Sequence, residues 1–398
     1  MRKSEDKRAD VAVVGGGVAG LAAARELARE GLSVVVIDDG GAQGASNAAA
    51  GMLAPQSEAD RADDFFELLC ASRDMYPDFA ASLREESGVD IELDRTGTLY
   101  LSFTEDDERE ALKRFDWQTR AGLEVERLTA EEARELEPQV STRLRAALRF
   151  PRDWQVENRQ LVRALRASAG RYGVRVSEGT RAAGLRVVGG VARGVETSGG
   201  FVGAGSVVLA AGAWTSHVRL LVSEYEGATA RGESASHPLV EPVRGQMLSF
   251  RQTRDAGPFA RHVVYSPRGY VVPRRDGRLL AGSTTEHAGF DAAVTEEGVE
   301  TIKRNAAEIA PAVASLSLEE SWAGLRPRAR DGLPVIGESA EVKGLFYATA
   351  YYRNGILLAP ASGRIVADLL TRGATNLAPR ALTAFSPARA ARTAAGSR

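Results

Sequence analysis

Apolar residues run unbroken from Val11 to Val14, give way to glycines, and return as a second run, Leu32–Ile37, interrupted only by Ser33. Short apolar runs bounded by turn residues read as buried strands, and Gly17–Glu30 between them carries alanine and leucine at helical spacing. The pattern predicts a βαβ unit of about 30 residues. Helical spacing resumes from Phe65 to about Glu86, and Leu99–Phe103 reads as a strand. In "LTAEEARELEP" Thr129 stands three residues before Glu132, a capping-box start, and Pro138 is the stop. "ENRQLVRALRASAGRYG" predicts a helix ending at Gly173.

Val174–Val176, Leu185–Val188 and Phe201–Val202 read as strands joined by glycine-containing turns, and Ser206–Trp214 as a buried strand ending in a glycine turn. Glu224–Pro242 is loop-like. Gly269–Ser283 predicts a hairpin turning at Asp276-Gly277. "TIKRNAAEIAPAV" is a helix cut short by Pro311, and "GLFYATAYYRNGILLAPASGRIVADLL" is a strand, a loop and a long helix. Nucleotide-binding patterns fall at both ends and in the middle of the chain, so the fold class expected is α/β. A Rossmann-like domain in discontinuous segments (8–85, 153–222 and 325–385) is joined to an α+β domain on a mostly antiparallel sheet (86–152 and 223–324). Residues 1–7 and 386–398 are expected to be flexible tails.

A length of 398 residues makes two domains the default. Charges nearly cancel, with 51 Lys+Arg against 53 Asp+Glu, which argues against a nucleic-acid partner. One cysteine excludes an internal disulfide framework and a multi-thiolate zinc site. "MRKSEDKRAD" leads straight into the first strand without an apolar leader, and no apolar run reaches membrane-spanning length, so the cytoplasm is the expected location.

The chemistry begins at "GGGVAGL". Gly15, Gly17 and Gly20 fit the spacing that permits a tight turn, backbone approach to a pyrophosphate and helix–strand packing. The helix amides beyond face the diphosphate. Asp38, with Asp39 its neighbour and rival, ends the second strand where a ribose diol needs an acceptor. The motif alone does not separate FAD from NAD. "GASNAAAGMLAP" (Gly44–Pro55) does: a stretch almost free of bulky side chains suits a flat ring pressed against backbone. None of the four histidines, His217, His237, His262 and His287, lies in a chemical motif.

Together "GGGVAGL", "ASNAAAGML", "PVRGQML", "YVVPRRDGRLLAGSTT", "WAGLRPRARDGLPVIG" and "YYRNGILLAP" resemble the glycine oxidases, the thiamine-pathway branch of the D-amino-acid oxidase superfamily of FAD enzymes. The resemblance runs in order from about Asp10 to Phe385. It implies that Gly15, Gly16, Gly17, Ala19 and Gly20 hold the FAD diphosphate, with Asp38 or Asp39 on the adenosine ribose. Ser46, Ala49, Ala50, Gly51 and Met52 would line the flavin, Ala182 the adenine, and Gly212 and Trp214 the cofactor's middle. Asn354, Gly355, Ile356 and Leu357 would open the last helix against the flavin. Arg326 and Arg353, which also border the cofactor, would meet the substrate carboxylate, and Tyr270 would cover it. An arginine fork suits a carboxylate bidentately.

Arg268 and Thr285 occupy substrate-side positions where the resemblance leads one to expect histidine and methionine, and 228–239 looks inserted. The implied activity is FAD-dependent oxidative deamination of glycine or another small amino acid or amine. It gives the imine and then the oxo acid, reduces oxygen to hydrogen peroxide, and would supply thiamine thiazole synthesis. No protein base is expected, FAD is expected to be non-covalent, and the family's habit points to a homotetramer. An FAD-dependent dehydrogenase, or a secondary-amine oxidase of the sarcosine or proline type, fits the same motifs, as does a non-catalytic flavin-binding module.

Overall fold

The structure, a computed structural model, describes residues 8–41, 43–225, 237–251, 259–377 and 379–389. Its centre is a nine-stranded sheet in which Ala9–Val14 runs parallel to Gly200–Leu209 on one side and to Val34–Ile37 on the other. Arg175–Ser177 extends this parallel core beyond Val34–Ile37, and Leu345–Thr349 extends it beyond Gly200–Leu209. Val11–Val14 and Val34–Ile37 are apolar throughout because both faces are covered. Val11 and Val13 share a core with Leu21, Leu27, Leu161 and Ile365, while Ala12 and Val14 share another with Leu185, Val195 and Leu220. Helix Val18–Arg29 packs on helices Asn158–Arg171 and Ala359–Arg372 to form the first layer, and an antiparallel meander of Ala182–Val188, Val191–Thr197 and Gly200–Leu209 forms the second. Gly200–Leu209 leaves the meander at Gly203 and enters the parallel core, so the strands predicted around Phe201 and Ser206 are one.

The eight-stranded sheet has the order Ser317–Ala329, Val240–Arg251, Arg278–Gly282, Gly269–Pro273, Val263–Ser266, Thr98–Ser102, Ala146–Phe150, Glu126–Thr129. Every pairing is antiparallel except Val263–Ser266 with Thr98–Ser102. Helix Glu296–Ile309 seals one face through Ile302, Ala306 and Ile309. Strand Ser317–Ala329 crosses the expected 324/325 boundary, so one strand links the two regions.

Several elements differ from the sequence expectation. The helix predicted over Phe65–Glu86 is two, Asp64–Asp74 and Tyr76–Ser87, because Pro77 cannot donate to the residue 73 carbonyl and starts a new first turn. Helix Glu105–Arg120, with a Thr104–Asp107 capping box, was not anticipated. The Thr129–Glu132 capping box and the hairpin turning at Gly277 are present as expected. Most of the predicted Glu224–Pro242 loop, and with it residues 228–236 of the 228–239 insertion, lies outside the described residues, but Val240–Pro242 already belongs to a strand. Residues 1–7 and 390–398 of the predicted tails also lie outside. Residues 386–389 of the second tail are described, and Arg389 pairs with Asp331 at 2.7 Å.

Candidate active site

A cavity of about 830 Å3 opens at the carboxyl ends of Ala9–Val14, Val34–Ile37 and Gly200–Leu209, against the end of Ser317–Ala329. This is where open α/β sheets take their ligands. Gly15, Gly16, Gly17 and Ala19 form its floor. Gly17 caps helix Val18–Arg29 without a side-chain hydrogen bond of its own, and Ser46 Oγ accepts from the Val18 amide at 3.0 Å. Gly20 does not line the cavity: a Cβ there would lie 2.0 Å from the Gly15 carbonyl oxygen, the close helix–strand packing that the third glycine serves. Asp38 and Asp39 both reach the lining. Asp39 accepts from the Gly41 amide at 3.1 Å, whereas Asp38 pairs with Arg166 at 3.0 Å. Arg166 lines the same space and went unnoticed in the sequence.

The small-residue stretch is the cavity wall. Ser46, Ala49, Ala50, Gly51 and Met52 line it, and partners distant in sequence grip its backbone. Asn158 donates to the Ser46 and Asn47 carbonyls (2.9 and 3.1 Å), Trp322 to Ala48 (3.1 Å), and buried Arg274 to Ala50 (2.7 Å). Burial pulls the Arg274 pKa down to about 10. Gly51 has φ +74°, and a Cβ there would meet the Val156 carbonyl oxygen at 2.0 Å. Ala182 lies at the far end, and Gly212 and Trp214, in the 3-10 helix Gly212–His217, at the middle. His217 also lines the cavity, its ring 4.3 Å from that of Phe290.

At the other end lie Tyr270, Arg326 and Arg353. Arg326 is fixed against strand Val240–Arg251, donating to the Thr284 carbonyl at 3.0 Å and Ser283 Oγ at 2.8 Å. Burial lowers its pKa, but a guanidinium stays protonated at any working pH. Exposed Arg353 donates to Thr285 Oγ1 at 3.1 Å, which puts Thr285 beside the arginine rather than in the lining. Tyr270 is buried, its hydroxyl 3.3 Å from Met247 Sδ and its ring stacked on Tyr265.

Three further expectations are corrected. Arg268 is not part of the lining, because its guanidinium is clamped by Asp107 at 2.8 Å and Glu308 at 2.6 Å. The long helix after this motif is Ala359–Arg372, so Asn354, Gly355 and Ile356 line the cavity from the turn before it, not from its first turn. Pro360 has no amide to give the Ile356 carbonyl, which accepts instead from Tyr76 Oη and from the Ala359 amide at 3.1 Å. Leu357 is buried behind the lining, its carbonyl accepting from Ser72 Oγ at 2.7 Å.

The lining fits FAD. It offers a glycine turn at a helix start, a carboxylate where a ribose would lie, and a flat backbone wall. The family model described as FAD dependent oxidoreductase matches residues 10–369. The chain belongs to this family. It is 37% identical over 381 residues to the glycine oxidase of Geobacillus kaustophilus, covering 94% of this chain and 97% of that one. The crystal structure of glycine oxidase from that organism superposes with a TM-score of 0.86 at 36% identity, over 96% of this chain and 98% of that one. The bifunctional protein ThiO/ThiG of a Synechocystis strain is 34% identical over 96% of this chain, which spans 54% of that protein. The protein is thus an FAD-dependent oxidoreductase, with Gly15–Gly17, Asp38 and the Ser46–Met52 wall as the residues that would hold the cofactor. Cys70, the one cysteine of this family member, lies outside the cavity on helix Asp64–Asp74, and burial pushes its thiol up to about 11. Among the described residues no helix is long and apolar enough to cross a membrane, and no group of acidic, histidine or cysteine side chains could hold a metal ion.

Proposed function

We propose that the protein oxidises glycine or a similarly small amino acid, passing the electrons to oxygen with release of hydrogen peroxide. The observation that carries this is the convergence of Arg326, Arg353 and Tyr270 at one end of the cavity whose other end holds the glycine turn. Non-covalent FAD, when bound, supplies the two-electron acceptor. Arg326, immobilised by Ser283 and Thr284, takes the substrate carboxylate in a fixed fork, and Arg353 at the mouth adds a second positive charge. Tyr270 closes the space above the substrate and keeps water out. The work of these residues is orientation, which supplies a large share of the rate when reacting atoms are held at contact distance. Two parts of the chain divide the labour: 8–85, 153–222 and 325–385 for the cofactor, 86–152 and 223–324 for the substrate. The similarity to ThiO/ThiG supports a place in thiamine thiazole supply, and we assign the protein to the cytoplasm as a homo-oligomer.

The test is peroxide release from a panel of glycine, sarcosine, D-alanine and larger amines by the purified yellow protein, beside Arg326→Ala. Glycine or another small amino acid should lead the panel, and Arg326→Ala should lose at least about 100-fold in kcat/KM, the scale of a removed charge-assisted fork. Flavin bleached anaerobically by glycine should recolour in air. If it stays bleached, the electron acceptor is not oxygen. If Arg326→Ala turns over every amine as the wild type does, the site is misassigned.

A further inference from the structure

The substrate-end roles above use no carboxyl group of the protein, yet the cavity holds one there. Glu58 closes the short helix Pro55–Glu58, which directly follows the flavin wall, and it lines the cavity together with Arg326, Arg353 and Tyr270. Its carboxylate makes no hydrogen bond or ion pair with any described residue; the charged and titratable groups that act on it are Arg353, Arg326, Arg114 and Tyr265. The helix that carries it is held from outside. Asp153 accepts from the Gln56 and Ser57 amides at 3.0 and 2.7 Å, and Gln118 and Arg114 donate to the Gln56 carbonyl at 2.8 and 3.3 Å.

An unpaired carboxylate near two arginines ordinarily closes onto one of them. Here Arg326 is tied to Ser283 and Thr284, and Arg353 to Thr285, so the positive and negative sides stay apart. The space between them is complementary to a zwitterion, with its carboxylate toward the arginines and its ammonium toward Glu58. An ammonium left in that space without Glu58 would face only positive charge, at an effective dielectric well below that of water. Resting on the amino-acid reading above, we propose that Glu58 binds the substrate's ammonium group and accepts its proton, so that the zwitterion binds and the neutral amine reacts. One N–H bond breaks and one O–H bond forms, the electron pair stays on nitrogen, and Glu58 becomes a neutral carboxyl that releases its proton to solvent when product leaves. Burial raises the proton affinity of Glu58 above that of an ordinary carboxylate, against the pull of Arg353, Arg326 and Arg114, as suits a group that must take a proton near neutral pH.

The experiment uses FAD-loaded wild type, Glu58→Gln and Glu58→Asp. The first measurement is kcat/KM for glycine against pH; the second is acetate binding followed by flavin absorbance, which needs no turnover. Glu58→Gln should lose about 10²–10⁴-fold at pH 7, the usual range for a removed proton acceptor. The loss should shrink toward alkaline pH as the substrate amine deprotonates unaided. Acetate, an anion without an ammonium, should bind Glu58→Gln more tightly than wild type, and Glu58→Asp should keep the wild-type acid limb at reduced rate. An unchanged acid limb in Glu58→Gln, or equal acetate affinities, overturns the assignment. If wild type oxidises no amine, the functional reading fails on that result alone, and the acetate titration still decides the charge placement.

Discussion

Replacing Gly245 by alanine tests the proposed carboxylate site without replacing any of its functional groups. Gly245 pairs with Gly324 across the two long strands, and the guanidinium of Arg326 lies flat on the space a side chain would fill. A Cβ at Gly245 would stand 2.3 Å from Arg326 Cζ and from both terminal nitrogens, while ordinary contact begins near 3.4 Å. The guanidinium must therefore retreat by about 1 Å, which breaks its geometry with the Thr284 carbonyl and Ser283 Oγ. The obstructing group is the tip of a long side chain, so the strand itself need not move. The unfolded chain loses freedom when glycine becomes alanine, which offsets about 0.4–1 kcal/mol. Stability should change by less than about 1 kcal/mol, and FAD content should match wild type. A misplacement of this size in a positioning group costs about 100-fold, or about 2.7 kcal/mol, in kcat/KM. Peroxide release with glycine, read beside a thermal melt and the flavin-to-protein absorbance ratio, makes the comparison. A variant within threefold of wild-type kcat/KM would show that Arg326 does not hold the carboxylate from this position.

Gly51→Ala should be far less tolerated. Its φ of +74° strains any side chain, and the Cβ would strike a backbone oxygen, so a stability loss above about 2 kcal/mol and flavin loss on gel filtration are expected. Asp38→Ala should weaken FAD binding about 10–100-fold, measured by flavin fluorescence quenching on titrating apoprotein, because a charged acceptor is lost and Arg166 keeps only Glu178. Glu86→Gln tests a buried network away from the site. Burial opposes ionisation of Glu86, but hydrogen bonds from Ser168, Ser82 and Arg25 outweigh it and hold the carboxyl at about 2, below its ordinary 4.5. Stability from this depressed group is present above pH 4.5 and lost as pH falls toward 2. The variant should therefore melt as if weakened by about 3 kcal/mol at pH 7, with the deficit narrowing in acid. A deficit independent of pH would refute the ionic origin.

What the sequence made legible follows from how locally each feature is determined. The turn at Gly15–Gly20 and its flanking strands could be read because both strand faces are buried and the glycine spacing is set by one helix start. The Ser46–Met52 wall was legible by its lack of bulk. Its supports were not: Asn158, Arg274 and Trp322 reach it across more than a hundred residues, and an asparagine or arginine bonded to a remote carbonyl leaves no local pattern. Glu58 was passed over for a related reason. Three residues beyond Pro55 it looks like a surface acid, and only the fold turns it toward Arg326 and Arg353.

The misplacement of Arg268 shows how such omissions propagate. Helix Glu105–Arg120 escaped notice because almost all of its surface is polar: only Asp107, Ala111 and Gln118 are buried along sixteen residues, too few to make an apolar stripe. The signal present was the Thr104–Asp107 capping box, in which aspartate takes the place usually filled by glutamate or glutamine. That same Asp107 accepts from the Phe103 and Thr104 amides and from Arg268, which keeps its carboxyl ionised and the arginine outside the cavity. A residue next to a site in sequence can thus be withdrawn from it by an element far away in the chain. Of the two departures from the resemblance, Arg268 then ties the turn between Val263–Ser266 and Gly269–Pro273 to helices Glu105–Arg120 and Glu296–Ile309. Thr285, through its bond to Arg353, is the one that reaches a residue of the cavity lining.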